Sequence, residues 1–243
     1  GVYRMDFSDV IEYHEKKKAD ITLVCHDEEI DDSARYTAVK TDQDGRVSDI
    51  KINAKLSGKN KFYVNIMIMN RRFLINTIFD AVARGLNSFR RDILMRNFKS
   101  LKIFAYDFKG YHASIDSIGS YFKHNMELLN KNLRDELFGA RDIYTKVRDS
   151  APSKYGENSK IKNSLISDGC IVEGTVENSI LFRGVKVGKG SVIKNSIVMQ
   201  DNLIGDNVSL NCVITDKNVV IRDRRVLSGC EAQPYCIPKG SMI

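Results

Sequence analysis

The chain of 243 residues holds four histidines, His14, His26, His112 and His124, so residues 125–243 contain none. Imidazole is the commonest general base near neutral pH and a frequent metal ligand. The second half therefore lacks the group on which either chemistry most often rests. The five cysteines, Cys25, Cys170, Cys212, Cys230 and Cys236, are odd in number and form no CxxC pair. That spacing excludes the usual zinc site and reads as reduced thiols, with only Cys230 and Cys236 near enough for a local pair. Lys and Arg number 38 against 31 Asp and Glu, a basic balance that raises nucleic acid or phosphorylated molecules as ligands. The clusters Lys16-Lys17-Lys18, Arg71-Arg72 and Arg224-Arg225 are short and scattered, so they read as solvated faces and not as a nucleic-acid stripe. Arg183, Lys186 and Arg224 remain as basic side chains that could meet a phosphorylated effector. No Gly-rich phosphate loop opens any helix of the chain.

Two kinds of sequence must position these groups. Up to about residue 150, helical and strand patterns alternate. Ser8 can cap a helix with Val10, Ile11 and Tyr13 on its apolar side, and residues 19–25 read as a buried strand. Residues 36–40 and 47–52 form the arms of a hairpin around Asp44-Gly45, and residues 62–69 read as a further strand. Helical patterns over 73–84 and 89–98 precede a strand at 101–108 and a helix over 117–129. This is an α/β arrangement. It opens with a strand-to-helix connection already under way at Val2-Tyr3-Arg4-Met5-Asp6, which gives the expectation that further strands precede it.

After Pro152 a short repeat takes over. Val187, Ile193 and Met199 are six apart, as are Ile204 and Leu210, with turn-forming residues such as Gly188-Lys189-Gly190 between them. One inward aliphatic residue per short strand and three strands per turn make a parallel β-helix. Asn163-Ser164, Asn178-Ser179 and Asn195-Ser196 recur at 15 to 17 residues, near an expected turn of about eighteen. Val187, Ile193 and Met199 are expected in one buried column. Many β-helices of this type are acyltransferases or carbonic-anhydrase-like enzymes that use imidazole, and this one has none, so it reads as an assembly and regulatory module. The domains are thus 1–150 and 151–243. No apolar run approaches the roughly 18 residues of a membrane span, and the amino terminus does not read as a signal peptide. The expectation is a cytoplasmic protein that binds neither membrane nor nucleic acid.

An α/β part followed by such a helix is the plan of sugar-phosphate nucleotidyltransferases. Val2-Tyr3-Arg4-Met5-Asp6-Phe7, Gly45-Arg46-Val47, Gly110-Tyr111, Ile118-Gly119-Ser120-Tyr121, Asn125-Met126-Glu127-Leu128-Leu129, Ile143-Tyr144-Thr145, Asn163-Ser164-Leu165-Ile166 and Asp168-Gly169-Cys170-Ile171 stand in the order found in bacterial glucose-1-phosphate adenylyltransferases (ADP-glucose pyrophosphorylases), a family this chain resembles along nearly its whole length. The resemblance implies the C-terminal part of a Rossmann-like nucleotidyltransferase domain plus a left-handed parallel β-helix. It also implies a step of glycogen synthesis in which ATP and glucose 1-phosphate give ADP-glucose and pyrophosphate, with magnesium, in a tetramer controlled by metabolites.

The positions that carry the family's chemistry are altered. Where catalytic members have Glu-Lys-Pro, this chain has Ile52-Asn53-Ala54, so the sugar-phosphate lysine is replaced by Asn53. The Ala-Ser-Met-Gly-Ile-Tyr strand becomes Phe62-Tyr63-Val64-Asn65-Ile66-Met67, with Tyr63 and Asn65 adding bulk. The Asp-Phe-Gly-Lys-Asp segment becomes Ser88-Phe89-Arg90-Arg91-Asp92, and Tyr-Trp-Lys-Asp-Val-Gly becomes Tyr111-His112-Ala113-Ser114-Ile115-Asp116. Ser114 stands where a metal-binding Asp belongs, and a neutral hydroxyl is a poor magnesium ligand. Asp116, two residues on, would share a strand face with Ser114 and could substitute. No catalytic residue, metal or cofactor is therefore expected in this chain. The resemblance implies the regulatory type of subunit, partnered by a catalytic adenylyltransferase subunit or by copies of itself. Two other readings stay open: a weakly active subunit using Asp92 or Asp116, and a non-enzymatic β-helix scaffold.

Overall fold

The computed structural model describes all residues except 31–35, 54–57, 140–142 and 147–148, and Ala54 lies outside the described residues. The chain divides into two compact units, residues 3–112 with Gly1 and residues 113–243 with Val2. The sequence reading put the change of grammar near residue 150, whereas compactness changes at 112/113. The later helices go with the second unit because Phe122 is seated against Ile197, Cys212 and Ile214 of the β-helix.

In the first unit, β1 (Val2–Tyr3) leads into α1 (Phe7–Lys17), followed by β2 (Ile21–Ile30), β3 (Thr37–Thr41), β4 (Val47–Ile52) and β5 (Gly58–Met69). Then come α2 (Arg71–Ala83), a π-helical turn (Phe89–Met95), β6 (Ile103–Asp107) and β7 (His112–Ala113). The five-stranded sheet has the order β4-β3-β5-β2-β6, with β2 and β6 parallel and the other pairs antiparallel. Side chains of a strand alternate between faces, and β2 shows it: Ile21, Leu23 and Cys25 join the core containing Leu94 and Ile103, while Val24 meets Val10 of α1 and Phe108. The expected cap is corrected. Asp6, not Ser8, caps α1, accepting from the Ser8 N–H at 3.0 Å; Asp6 has the extended backbone that a cap needs, and Ser8 is already helical.

The second unit opens with α3 (Ile118–Glu127), started by a capping box between Ser117 and Ser120. A further helix, α4 (Lys131–Phe138), was not foreseen; Asn130 caps it, and Arg134 donates to the carbonyls of Leu128 and Leu129 at 2.7 and 2.8 Å, tying it to the end of α3. From Lys154 onward every turn lays down three short strands, and each pairs in parallel with the strand one turn away. The first face stacks Lys154–Tyr155, Ile171–Val172, Lys186–Val187, Leu203–Ile204 and Val220–Ile221. The second carries Ile193 between Val176 and Leu210, and the third carries Val198 between Leu181 and Thr215. Paired strands are 15 or 17 residues apart, slightly short of eighteen, except the last pair of the third face, where Val213 meets Tyr235 across 22 residues.

The single column expected for Val187, Ile193 and Met199 is wrong in two respects. Val187 and Ile193 are buried on different faces of the three-sided core. Met199 lies outside that core and packs with Phe122 and Ile214; Val198 takes the inward place. The reason is the 17-residue turn, which shortens the third side by one residue relative to strict hexads.

Many corners place a residue at positive φ. One corner has Asn163, Asn178, Asn195 and Cys212 at 44°, 46°, 45° and 51°, a conformation that asparagine adopts more readily than most L-residues. Beside it, buried serines form a ladder. Ser179 Oγ donates to the Glu177 carbonyl at 2.7 Å and accepts from Ser196 N–H at 3.1 Å; Ser196 repeats the pattern with Lys194 and Val213. These hydroxyls satisfy backbone groups sealed from water. Among the described residues no helix is long and apolar enough to cross a membrane.

Candidate functional site

Asn53 is exposed just after β4, with φ at 54°, and its N–H donates to the Tyr36 carbonyl at 3.0 Å. The residue thus takes a left-handed backbone at the open end of the hairpin, a conformation that asparagine tolerates. Asn65 plays a related part within β5. While β2 runs from Leu23 to Cys25, β5 runs from Met67 to Tyr63, and Asn65, exposed and at φ 62°, lies in the bulge. Tyr63 points the other way and is buried among Leu23, Cys25 and Leu94. Burial first, then neighbouring Cys25, pushes its phenol well above the usual range, with Arg90 opposing. Burial does the same to the Cys25 thiol, which suits an inert core residue.

Ser88 caps the π-helical turn, its Oγ accepting from Arg91 N–H at 3.3 Å. Asp92 returns the contact: its Oδ2 accepts from the N–H groups of Ser88 and Asn87 at 3.0 and 3.3 Å, and its other oxygen lies 3.4 Å from Arg96. The carboxylate is held by the cap of its own helix. His112 stacks near Tyr3 at 6.5 Å and lies 5.7 Å from the ring of His26, whose Nδ1 is 3.1 Å from the Phe108 carbonyl. Sequence reasoning missed this cluster, because His26 and His112 meet only through the parallel pairing of β2 with β6.

In the second unit, the strand ends at Ala113, so Ser114 and Asp116 are not on a strand and the shared face expected for them does not exist. Asp116 Oδ1 accepts from Ser120 Oγ at 3.1 Å, at the start of α3. A magnesium site of the family's type does not fit this donor set: one position is a neutral hydroxyl, and the nearest carboxylate is engaged at a helix terminus. Among the described residues no three His, Cys, Asp or Glu side chains gather as a metal site.

The effector candidates are spread over the β-helix. Arg183 sits at a corner after the second turn, Lys186 on the first face, and Arg224 at another corner of the last turn. Elsewhere on the surface, Glu177 bridges Lys194 and Lys162 at 3.2 and 3.4 Å, and their hydrogen bonds hold its carboxyl below the usual range. Arg224 has φ 59°, in a corner column where the turns above place Gly190 at 68° and Asn207 at 54°. Replacing it tests whether the residue is more than a corner. Arg224→Asn should raise stability by about 0.5–1 kcal/mol, read from urea unfolding, because asparagine tolerates this conformation better than arginine. A loss of stability would show that the guanidinium holds the corner.

The fold and the comparisons converge on one class. Residues 149–233 match a family described as GlmU-like, C-terminal hexapeptide, so the protein combines an α/β unit with a hexapeptide-repeat β-helix. The glycogen biosynthesis protein GlgD of Bacillus subtilis is 40% identical over 178 residues, 73% of this chain and 52% of that protein. The glucose-1-phosphate adenylyltransferases of Thermosipho africanus and Bacillus mycoides are 31% and 30% identical, over 79% and 93% of this chain and 48% and 61% of those proteins. The chain is similar to the glucose-1-phosphate adenylyltransferases and to GlgD. It spans about half the length of the curated relatives it matches.

Proposed function

We propose that this chain is part of a regulatory, non-catalytic subunit of glucose-1-phosphate adenylyltransferase, acting in glycogen biosynthesis in the cytoplasm. One observation carries the reading. Positions at which the family's chemistry calls for charge or open space are occupied by residues that the local backbone uses: Asn53 and Asn65 at positive φ, Ser88 as a cap, and Asp116 at the start of α3. The level of identity to GlgD, above that to the two adenylyltransferases, supports it. On this reading the subunit assembles with a catalytic one and alters its response to a metabolite, for which a phosphorylated effector is the candidate. Coupling energies of about 1–3 kcal/mol would shift activator affinity roughly 5- to 150-fold.

Co-expression with the organism's catalytic subunit tests the proposal. The two should co-elute in size exclusion, and the activator titration of the complex should differ from that of the catalytic subunit alone. The present chain alone should release no pyrophosphate from ATP and glucose 1-phosphate with magnesium. Turnover by it in the usual enzyme range of roughly 1–1000 per second would favour the weakly active reading. Separate elution with an unchanged activation curve would favour a scaffold.

A further inference from the structure

Helix α2 buries none of its side chains completely. Phe73, Leu74, Thr77 and Ala81 are half-buried and form its inner side. On the other side Ile75, Ile78, Phe79 and Val82 are 38%, 47%, 71% and 71% exposed. Their i, i+3, i+4, i+7 spacing makes one continuous stripe, and it is the spacing at which helices anchor in a partner's groove. Large apolar side chains so grouped on a surface mark interaction sites. Beside Ile78 and Val82 a cavity of about 160 Å³ is closed by Leu86 and Phe89, room for one anchoring side chain.

The charges around the stripe specify the partner. Arg71 and Arg72 occupy the first turn, which holds no acidic residue, at the positive end of the helix dipole. Among the described residues neither meets a carboxylate, whereas Arg84 at the other end is paired with Asp80 at 2.9 Å. Two cations at this terminus destabilise the isolated helix, and an external anion relieves them. A second copy does not provide one. Parallel pairing would set the Arg71-Arg72 pairs against each other, and antiparallel pairing would bring them to an Asp80 carboxylate already neutralised by its own Arg84.

We infer that the outer face of α2 docks a protein surface that is apolar at its centre and rimmed by carboxylates. Identifying that surface with the catalytic adenylyltransferase subunit rests on the function proposed above. The stripe supplies the desolvated centre, and the arginines steer the approach.

Binding of the chain to the purified catalytic subunit, followed by surface plasmon resonance at two salt concentrations, tests the inference. The Phe79→Ala, Val82→Ala double variant should weaken affinity roughly 30-fold, as loss of central anchors does. Both residues are largely exposed, so its circular dichroism should match the parent. Arg71→Glu with Arg72→Glu should slow association and flatten its salt dependence. Parent-like binding by both variants overturns the inference and leaves the proposed function standing. Absence of binding by the unmodified chain overturns both. Self-association abolished by the double variant, or binding to phosphatidylserine vesicles in place of the subunit, would reassign the stripe to a second copy or to a membrane and overturn the acidic partner.

Discussion

Replacing Asn202 by leucine should destabilise the β-helix by about 3 kcal/mol or more, although the two side chains are similar in size. Asn202 is buried at a corner between turns. Its Nδ2 donates to the Met199 and Asp216 carbonyls at 2.7 and 2.9 Å and lies 2.9 Å from Thr215 Oγ1, while its Oδ1 accepts from the Val219 N–H at 2.6 Å. One amide therefore joins two successive turns through backbone groups that water does not reach. Leucine would leave them unsatisfied, and each buried unpaired group costs about 1–3 kcal/mol. Urea unfolding followed by far-UV circular dichroism is the measurement, since the chain has no tryptophan to report by fluorescence. A shift below about 1 kcal/mol, the net value of one ordinary hydrogen bond, would mean that water enters the corner and replaces the amide.

Ile193→Ala should cost about 2–5 kcal/mol. Ile193 is fully buried, with Val176 and Leu210 in register on the adjacent turns. Truncation leaves a void in a stack whose backbone is held on both sides by parallel hydrogen bonds, so little collapse can fill it. The neighbouring Val192→Ala is the control: Val192 alternates to the outside and is only partly buried, so its loss should be much smaller. Equal effects at 192 and 193 would show that the assigned register is wrong.

The β-helix was legible because its contacts recur at constant sequence separation. Apart from the last pair of the third face, each strand meets the strand 15 or 17 residues away, so an inward aliphatic residue must reappear at that interval, and Val176, Ile193 and Leu210 do. The Asn-Ser repeats were legible for the same reason, since asparagine suits the corner conformation and serine bridges the turns. In the α/β unit, the hairpin around Asp44-Gly45 could be read because its determinants are local: Gly45 has φ 84°, and β3 and β4 pair on either side.

The altered pocket positions show the boundary of that legibility. That Asn53 and Ser114 carry no charge follows from residue type alone. That Asn53 takes a left-handed backbone opposite Tyr36, that Tyr63 is turned into the core while Asn65 bulges outward, and that Asp116 is held at the start of α3 depend on strands and helices brought together from elsewhere in the chain. Met199 obeys the hexad and still lies outside the inner core, because the observed turn is one residue shorter than three strict hexads. The helical pattern of α2 was readable over residues 73–84. Which of its sides would remain uncovered was decided only when Phe73 and Leu74 packed against the sheet core and the adjoining pocket, leaving Phe79 and Val82 outside. Residue type and period determine what a short segment can form. Contacts between residues far apart in sequence determine which face is buried and which side chains remain available to a ligand or partner.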